Sequence, residues 1–220
     1  MKKTLVLGLA LVSVSGLAFA LNLSVGAGIG ADFSAWPDFK GDLSGSSVEI
    51  KQEVMPVDLK VFFDAAYLQA SIGYMFVNGG GITTVVDGTA TSASLTGHLS
   101  YVSFSLYGKI PFSVGLFKFF PLLGIEYKLN LTYTDGSGND LKSGLTSQAQ
   151  SDLNEIWFEA GMGGDISLRK LYIRPELLLG FKPLSTTDNN ALASLQGTGY
   201  TSTSYTYFTI NVELLIGYKF

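Results

Sequence analysis

Hydrophobic and polar residues alternate along most of the chain with a period of two, the pattern of β-strands with one apolar and one polar face. In residues 21–33 every odd position is apolar, while the even positions hold glycine or a polar residue. The same alternation recurs in seven further segments, residues 57–65, 68–76, 101–110, 123–133, 156–165, 171–182 and 208–220. The sequence therefore predicts an all-β fold with eight strands.

The predicted strands are joined by connections that are alternately long and short. The long connections, rich in Gly, Ser, Thr and Asp, are residues 34–56, 77–97, 134–154 and 183–203. The short connections lie near residues 65–66, 111 and 167–170. In outer-membrane barrels long loops lie outside the cell and short turns face the periplasm. We predict an eight-stranded antiparallel up-and-down transmembrane β-barrel formed by residues 21–220, with both termini on the periplasmic side.

A soluble up-and-down barrel would show the same alternation, so the placement of charge has to decide between the two. The polar faces carry charges at mid-strand, whereas the apolar faces are uncharged and carry aromatic residues toward the strand ends. Burying so many charges in a soluble core is unfavourable, and lipid requires an uncharged outer band with aromatic girdles. The sequence therefore favours the membrane barrel. The mid-strand charges are Asp58, Lys60, Glu126, Lys128, Glu159, Arg174, Glu176 and Glu213.

We expect these eight side chains to form a paired network in the lumen, because the interior of an eight-stranded barrel is only wide enough for side chains. Arg174 is predicted to be its centre, pairing with Glu176, Glu159 and Glu213, because a guanidinium can bind two carboxylates. Two roles stay open, a structural plug and a charge gate that passes ions or small solutes. A bulge at Pro175 would reverse the facing of this strand.

The first twenty residues have the layout of a secretory signal peptide. Lys2 and Lys3 precede an apolar stretch, and Ala18-Phe19-Ala20 forms an A-x-A cleavage site. Beyond this segment, no apolar run reaches the roughly 20 residues that a transmembrane helix needs. We predict cleavage after Ala20, export across the inner membrane and localisation in the outer membrane.

Composition narrows the classes of function. The 18 acidic and 14 basic residues give a formal net charge of −4, which argues against a general nucleic-acid binder. The chain has no cysteine, so disulfides and thiolate metal sites are excluded. We expect no cofactor, no metal ion and no nucleic-acid partner, and we expect a monomer.

The terminal residues carry a resemblance to a known group of proteins. Together with the signal peptide and the eight alternating segments, the ending Ile216-Gly217-Tyr218-Lys219-Phe220 resembles small outer-membrane proteins of the OmpA-barrel, OmpX and OmpW type. In that family a terminal phenylalanine preceded by alternate apolar residues is the barrel-assembly signal, here Phe220, Tyr218 and Ile216. The resemblance implies contacts with the barrel-assembly machinery, with outer-membrane lipid and with lipopolysaccharide. It also implies an alternative function, a porin-like channel for small hydrophobic solutes as in OmpW relatives.

Two motifs raise the question of chemistry. Residues 26–31 match the G-x-G-x-x-A pattern of dinucleotide sites, but loop residues follow where that motif requires a helix. We interpret these glycines as lining a narrow lumen. The pair His98 and Ser100 resembles the His-x-Ser pair of outer-membrane lipid A deacylases, and its parity points both side chains toward lipid.

A catalytic histidine also needs a carboxylate that orients it, and the sequence offers none at a fixed position. We therefore predict that the protein is not an enzyme and keep a lipid A-modifying enzyme as the second alternative. The main prediction is a structural or surface-interaction role through the four long loops, which would also bind any extracellular ligand. Conductance is expected to be narrow or gated at most.

Overall fold

The computed structural model describes residues 23–197 and 200–220, and the predicted signal peptide lies outside this part of the chain. Within it eleven strands form one sheet. The strands are β1 Leu23–Leu43, β2 Ser46–Val54, β3 Val57–Ala65, β4 Leu68–Val86, β5 Thr89–Lys109, β6 Phe112–Val114, β7 Phe117–Asp135, β8 Glu155–Leu168, β9 Leu171–Lys182, β10 Tyr200–Ser204 and β11 Tyr207–Lys219. A 3₁₀ turn at Lys142–Gly144 and two helices, α1 Ser147–Asp152 and α2 Thr186–Gly197, complete the elements. None of these helices is long and apolar enough to cross a membrane.

Eight of the strands pair into a closed ring, which we call the strand ring. Its order is β1, β3, β4, β5, β7, β8, β9 and β11, and β11 pairs back with β1. Every pairing is antiparallel, and each of these strands contains one of the alternating segments. The prediction of an all-β antiparallel fold is therefore confirmed.

Two of the connections predicted as loops, residues 34–56 and 77–97, are largely β-strand. They hold the rest of β1, all of β2, the end of β4 and the beginning of β5. Both hairpins turn on two residues with positive φ, Ser44-Gly45 and Asp87-Gly88, which suits the right-handed twist of the flanking strands. The alternation is weak here because small Ser and Thr residues occupy both faces, so hydrophobic periodicity missed these strands.

The two ends of the strand ring differ as a consequence. At the short-turn end lie the turns at residues 66–67, 110–116 and 169–170, together with Leu23 and Phe220. At the opposite, long-loop end, β2 takes over from β3 and pairs with both β1 and β4, while β10 pairs with the far part of β1. Beyond the strand ring at this end, the wall therefore continues as a sheet formed by β1, β2, β4, β5 and β10. The connections that contain α1 and α2 complete the rest of this end.

The outer face of the strand ring is apolar and the inner face is polar and aromatic. Ile29 and Leu123 are 55% and 70% exposed on the outer face, and across the alternating segments no described outward position carries a charge. On the inner face glycines admit bulky side chains: a Cβ at Gly124 would overlap the Leu106 carbonyl and the aromatic ring of Tyr107. The narrow interior is thus filled from strand to strand.

Candidate functional site

All eight charged residues singled out in the sequence point into the strand ring, where each is at most 4% exposed. The alternation of the strands causes this placement, because every second side chain faces inward. Pro175 leaves the facing of β9 unchanged. The β8–β9 pairing is interrupted opposite Pro175, yet the register is the same on both sides, so Pro175 faces outward and Arg174 inward.

Arg174 is fully buried and binds two aspartates. Its Nε lies 2.6 Å from Oδ1 of Asp165, its Nη2 lies 2.9 Å from Oδ2 of Asp64, and its Nη1 donates to Gln69 at 2.7 Å. Lys109 also pairs with Asp64. We call these five residues the Arg174 cluster; it lies in the short-turn half of the lumen.

The partners predicted for Arg174 are therefore corrected. Its close contacts run to Asp64 and Asp165 and not to Glu159 or Glu213, whereas the predicted partner Glu176 forms a longer ion pair, with Oε1 3.9 Å from Nε. The register of neighbouring strands is the reason for Asp165 and Glu159: Asp165 lies beside Arg174, between the paired positions 163–176 and 166–173, whereas Glu159 pairs with Gly180, six residues further along β9.

The guanidinium of Arg174 also lies against three aromatic side chains. Its central carbon is 5.3 Å from the ring centroid of Phe62 and 4.9 Å from those of Phe120 and Tyr172. Such contacts attract a cation electrostatically and exclude water from around it. Arg174 thus fills the cross-section of the lumen as well as neutralising acids.

In the middle of the lumen Lys60 holds two acids. Its Nζ lies 2.9 Å from Oδ2 of Asp58 and contacts Oε1 of Glu213. Glu159 accepts a hydrogen bond from the Tyr107 hydroxyl. The first of these contacts joins β3 to β11 and the second joins β5 to β8 across the interior.

Lys128 pairs with acids nearer the long-loop end. Its Nζ is 2.8 Å from Oδ2 of Asp32, 3.2 Å from Oε2 of Glu126, and 5.1 Å from the Trp157 ring centroid. In the part of the chain that the structure describes, no group of three or more His, Asp or Glu side chains has a metal-binding arrangement. Among the described contacts, seven of the eight predicted lumen charges form lysine or arginine ion pairs, and Glu159 binds Tyr107 instead.

Several members of the network were missed in the sequence, although all lie on the inward parity. Each stands at or next to an end of its alternating segment, whereas the prediction covers only charges at the middle of these segments. The missed residues are Asp32, Asp64, Lys109, Glu155, Asp165 and Lys182.

His98 and Ser100 do not act as a pair. His98 is exposed and its Nδ1 hydrogen-bonds to Asn78, whereas Ser100 is 6% exposed and its hydroxyl bonds to Thr132. The prediction that Ser100 faces lipid is wrong, because a register shift between Ser100 and Tyr101 leaves both side chains buried.

A cavity of about 510 Å³ lies at the long-loop end. We call it the vestibule. Its floor is formed by Tyr101, Tyr207 and the pair of Lys182 Nζ with Glu155 Oε1, at 3.0 Å. Much of its wall is apolar and includes Val54, Val77, Leu95, Leu99, Leu145 and Leu153.

The connection that carries one wall of the vestibule is held by its own hydrogen bonds. Asp135, at the end of β7, accepts hydrogen bonds from the Asn139 side chain and from the backbone amides of Ser137 and Asn139. These bonds lower the pKa of Asp135. Thr146 caps α1 by accepting from the Ala149 amide.

A second cavity, of about 380 Å³, lies at the short-turn end and is lined by residues that include Ser24, Asp64, Asp165 and Lys219. The two cavities share no lining residue. Between them lie buried apolar clusters and the ion pairs of Arg174 and Lys60. The two cavities therefore lie on opposite sides of these buried side chains.

Comparison with known proteins gives structural similarities only. No family model and no curated protein sequence matches the chain. It is similar to the outer membrane protease OmpT from Escherichia coli, at 6% identity and a TM-score of 0.40, over 90% of this chain and 97% of that one. It is also similar to the translocator domain of autotransporter NalP from Neisseria meningitidis, at 11% identity and a TM-score of 0.29, over 100% and 98%.

The similarity to a protease contradicts the prediction that the protein is not an enzyme, and that prediction is withdrawn. At this identity and TM-score neither similarity assigns a reaction or a catalytic residue to the chain.

Proposed function

We propose that the protein is an integral outer-membrane β-barrel with a closed lumen, which acts at the cell surface through its long-loop end. The proposal rests on the combination of two features: the outer face is apolar, uncharged and exposed, and the interior is buried and holds ion pairs. A soluble protein places its apolar side chains inside, whereas a lipid-embedded barrel places them outside.

The dimensions of the apolar face support a membrane span. On β11 the outward aromatic residues Phe208 and Tyr218 are about ten residues apart, roughly 33 Å along the strand. At a strand tilt of about 40° this separation corresponds to a band about 25 Å high, the height of the apolar band in outer-membrane barrels.

The closure of the lumen is supported by the contents of the strand ring. Arg174, Lys60 and Lys128 each bind carboxylates from facing strands, and aromatic side chains fill the space around Arg174. When a buried ion pair separates, the attraction that offsets the desolvation of its two charges is lost. Opening of the lumen therefore requires several such pairs to break together. This favours a structural or surface-interaction role with at most gated conductance.

The ring of eight strands and the ending Ile216, Tyr218 and Phe220, all exposed on the outer face, support a place among the small barrels of the OmpA-barrel, OmpX and OmpW type. On this proposal the outer face contacts membrane lipid and lipopolysaccharide, and the terminal strand is read by the barrel-assembly machinery. A second candidate, passage of small hydrophobic solutes, is favoured by the apolar wall of the vestibule and opposed by the charged floor beneath it.

Two measurements test the proposal. The folded barrel should migrate differently before and after boiling in a denaturing gel, because a closed sheet has no free edge for detergent to open. The absence of cysteine allows single labels: Ser137→Cys, at the long-loop end, should react with an impermeant maleimide on intact cells. Lys170→Cys, in the β8–β9 turn, should react only after the outer membrane is permeabilised.

Equal mobility before and after boiling would refute the membrane barrel. Labelling of Lys170→Cys on intact cells, with Ser137→Cys protected, would show that the orientation is reversed.

A further inference from the structure

The vestibule has the size and lining of a small-molecule site. Its volume of about 510 Å³ falls within the range of about 300–1,000 Å³ that is usual for ligand pockets. One wall is built from Leu141, Leu145, Ala149 and Leu153, which recur every four residues along the connection that contains α1. Leu141 and Leu145 flank the 3₁₀ turn, Ala149 lies within α1 and Leu153 follows it, and all four side chains border the cavity.

The charged groups of the vestibule are few and mostly acidic. Its charged lining residues are Asp152, Glu155, Asp188 and Lys182, and Lys182 is paired with Glu155. Asp188 accepts hydrogen bonds from two neutral donors, the Tyr207 hydroxyl at 2.7 Å and the Ser185 amide at 2.9 Å. Asp152 accepts a hydrogen bond from the neutral Gln148 side chain. Because the lining holds three acids and one base, its formal charge is negative.

The floor already accommodates an ammonium group. The Nζ of Lys182 lies 3.9 Å from the ring centroid of Tyr207, as a cation–π contact requires. Tyr101 and Tyr133 also line the cavity. Aromatic faces beside carboxylates are the usual environment in which proteins bind alkylammonium ions.

We propose that the vestibule binds a small cationic amphiphile, with its apolar body against the leucine wall and its ammonium group between Asp152, Asp188 and the tyrosines. The inference rests on the proposed function in one respect, that the long-loop end faces the medium. It differs from a channel role because the ligand stays above the Lys182–Glu155 floor.

The test uses the full mature chain refolded in nanodiscs of zwitterionic lipid, with empty nanodiscs subtracted because the probes partition into lipid. Three probes share one hexyl chain: hexyltrimethylammonium, hexanol and hexanesulfonate. Binding is measured by titration calorimetry. We expect hexyltrimethylammonium to bind about tenfold more tightly than hexanesulfonate, since the cavity attracts one charge and repels the other.

Variants locate the binding. Asp152→Asn and the double variant Asp152→Asn with Asp188→Asn should remove most of the preference for the ammonium probe. Because Asp188 also caps α2 through Ser185, the single Asp152→Asn variant guards against a folding effect. Leu145→Asn should weaken the ammonium and alcohol probes alike, and Asp87→Asn, in the β4–β5 turn outside the cavity, should change nothing.

The proposal is overturned if none of the probes binds above the empty nanodisc, if the sulfonate is preferred, or if Asp152→Asn and the double variant keep the full preference. Failure of the proposed function has a different signature, since it appears in the boiling and labelling measurements, which do not depend on any probe.

Discussion

The two halves of the lumen are built by the same alternating strands and yet differ in what fills them. In the short-turn half the inward positions carry Arg174, Asp64 and Asp165 with aromatic side chains packed around the guanidinium, and the smaller cavity of about 380 Å³ borders the two aspartates at the short-turn end. In the long-loop half the inward positions include Val77 and Leu99, and a cavity remains. Ion pairs and aromatic rings thus fill the middle of the lumen, whereas a mostly apolar lining leaves the larger cavity at the end where short helices complete the wall.

The largest loss of stability is expected when the charge at the centre of the Arg174 cluster is removed. Arg174→Ala leaves Asp64 paired with Lys109 and removes the arginine partner of the buried Asp165, and it should lower the free energy of unfolding by about 3–5 kcal/mol. Urea unfolding in phospholipid vesicles, followed by gel mobility, measures the change. Arg169→Ala is the matched control because Arg169 is exposed in the β8–β9 turn, and an equal loss in both variants would contradict the central role of Arg174.

Removal of the cation at mid-lumen should have the next largest effect. Lys60→Met keeps much of the side-chain volume but leaves Asp58 and Glu213 without their shared partner, and should destabilise by about 3 kcal/mol. The same unfolding measurement applies. Lys51→Met alters an ion pair that is largely exposed and should change stability by less than about 1 kcal/mol. A Lys60→Met protein as stable as the wild type would mean that the mid-lumen acids do not need Lys60.

Overfilling the packed half should be less harmful than uncovering a charge. Gly124→Ala places a methyl group against the Leu106 carbonyl and the Tyr107 ring, and should cost about 1–3 kcal/mol. Gly81→Ala is the control, because a Cβ there meets nothing within 4 Å. If Gly124→Ala were as stable as Gly81→Ala, the interior at β7 would be looser than these contacts require.

Truncation in the vestibule should have the smallest effect. Leu145→Ala removes a half-buried side chain beside an existing cavity and should destabilise by less than about 1 kcal/mol. Leu178→Ala, fully buried among Tyr107, Phe120 and Leu122, should destabilise by about 2–5 kcal/mol. Similar losses for the two leucines would remove the distinction between a packed half and an open half.

The facing of the strands could be predicted from the sequence, but the contacts between them could not. A period of two assigns Lys60, Glu126 and Arg174 to the inner face without any knowledge of their partners. The pairing of Arg174 with Asp64 joins β9 to β3, which are not neighbours in the strand ring, so it depends on the stagger of all the strands between them.

The vestibule was not predicted for a related reason. Its leucine wall, from Leu141 to Leu153, lies in a connection whose helix spans only Ser147–Asp152, too short to stand out as a periodic pattern. The strands beyond residue 77 were missed because Ser and Thr weaken the alternation, although the Asp87-Gly88 pair is a hairpin signal that was present in the sequence.

The most direct test of a lumen closed by the Arg174 cluster is single-channel recording of the refolded protein in planar bilayers. The wild-type protein and Arg169→Ala should leave the bilayer at its baseline conductance, whereas Arg174→Ala should produce discrete ion-conducting events, because the guanidinium and its aromatic neighbours occupy the cross-section. A steady open conductance in the wild type would contradict the account. So would an Arg174→Ala recording that stays at the same baseline conductance as the wild type.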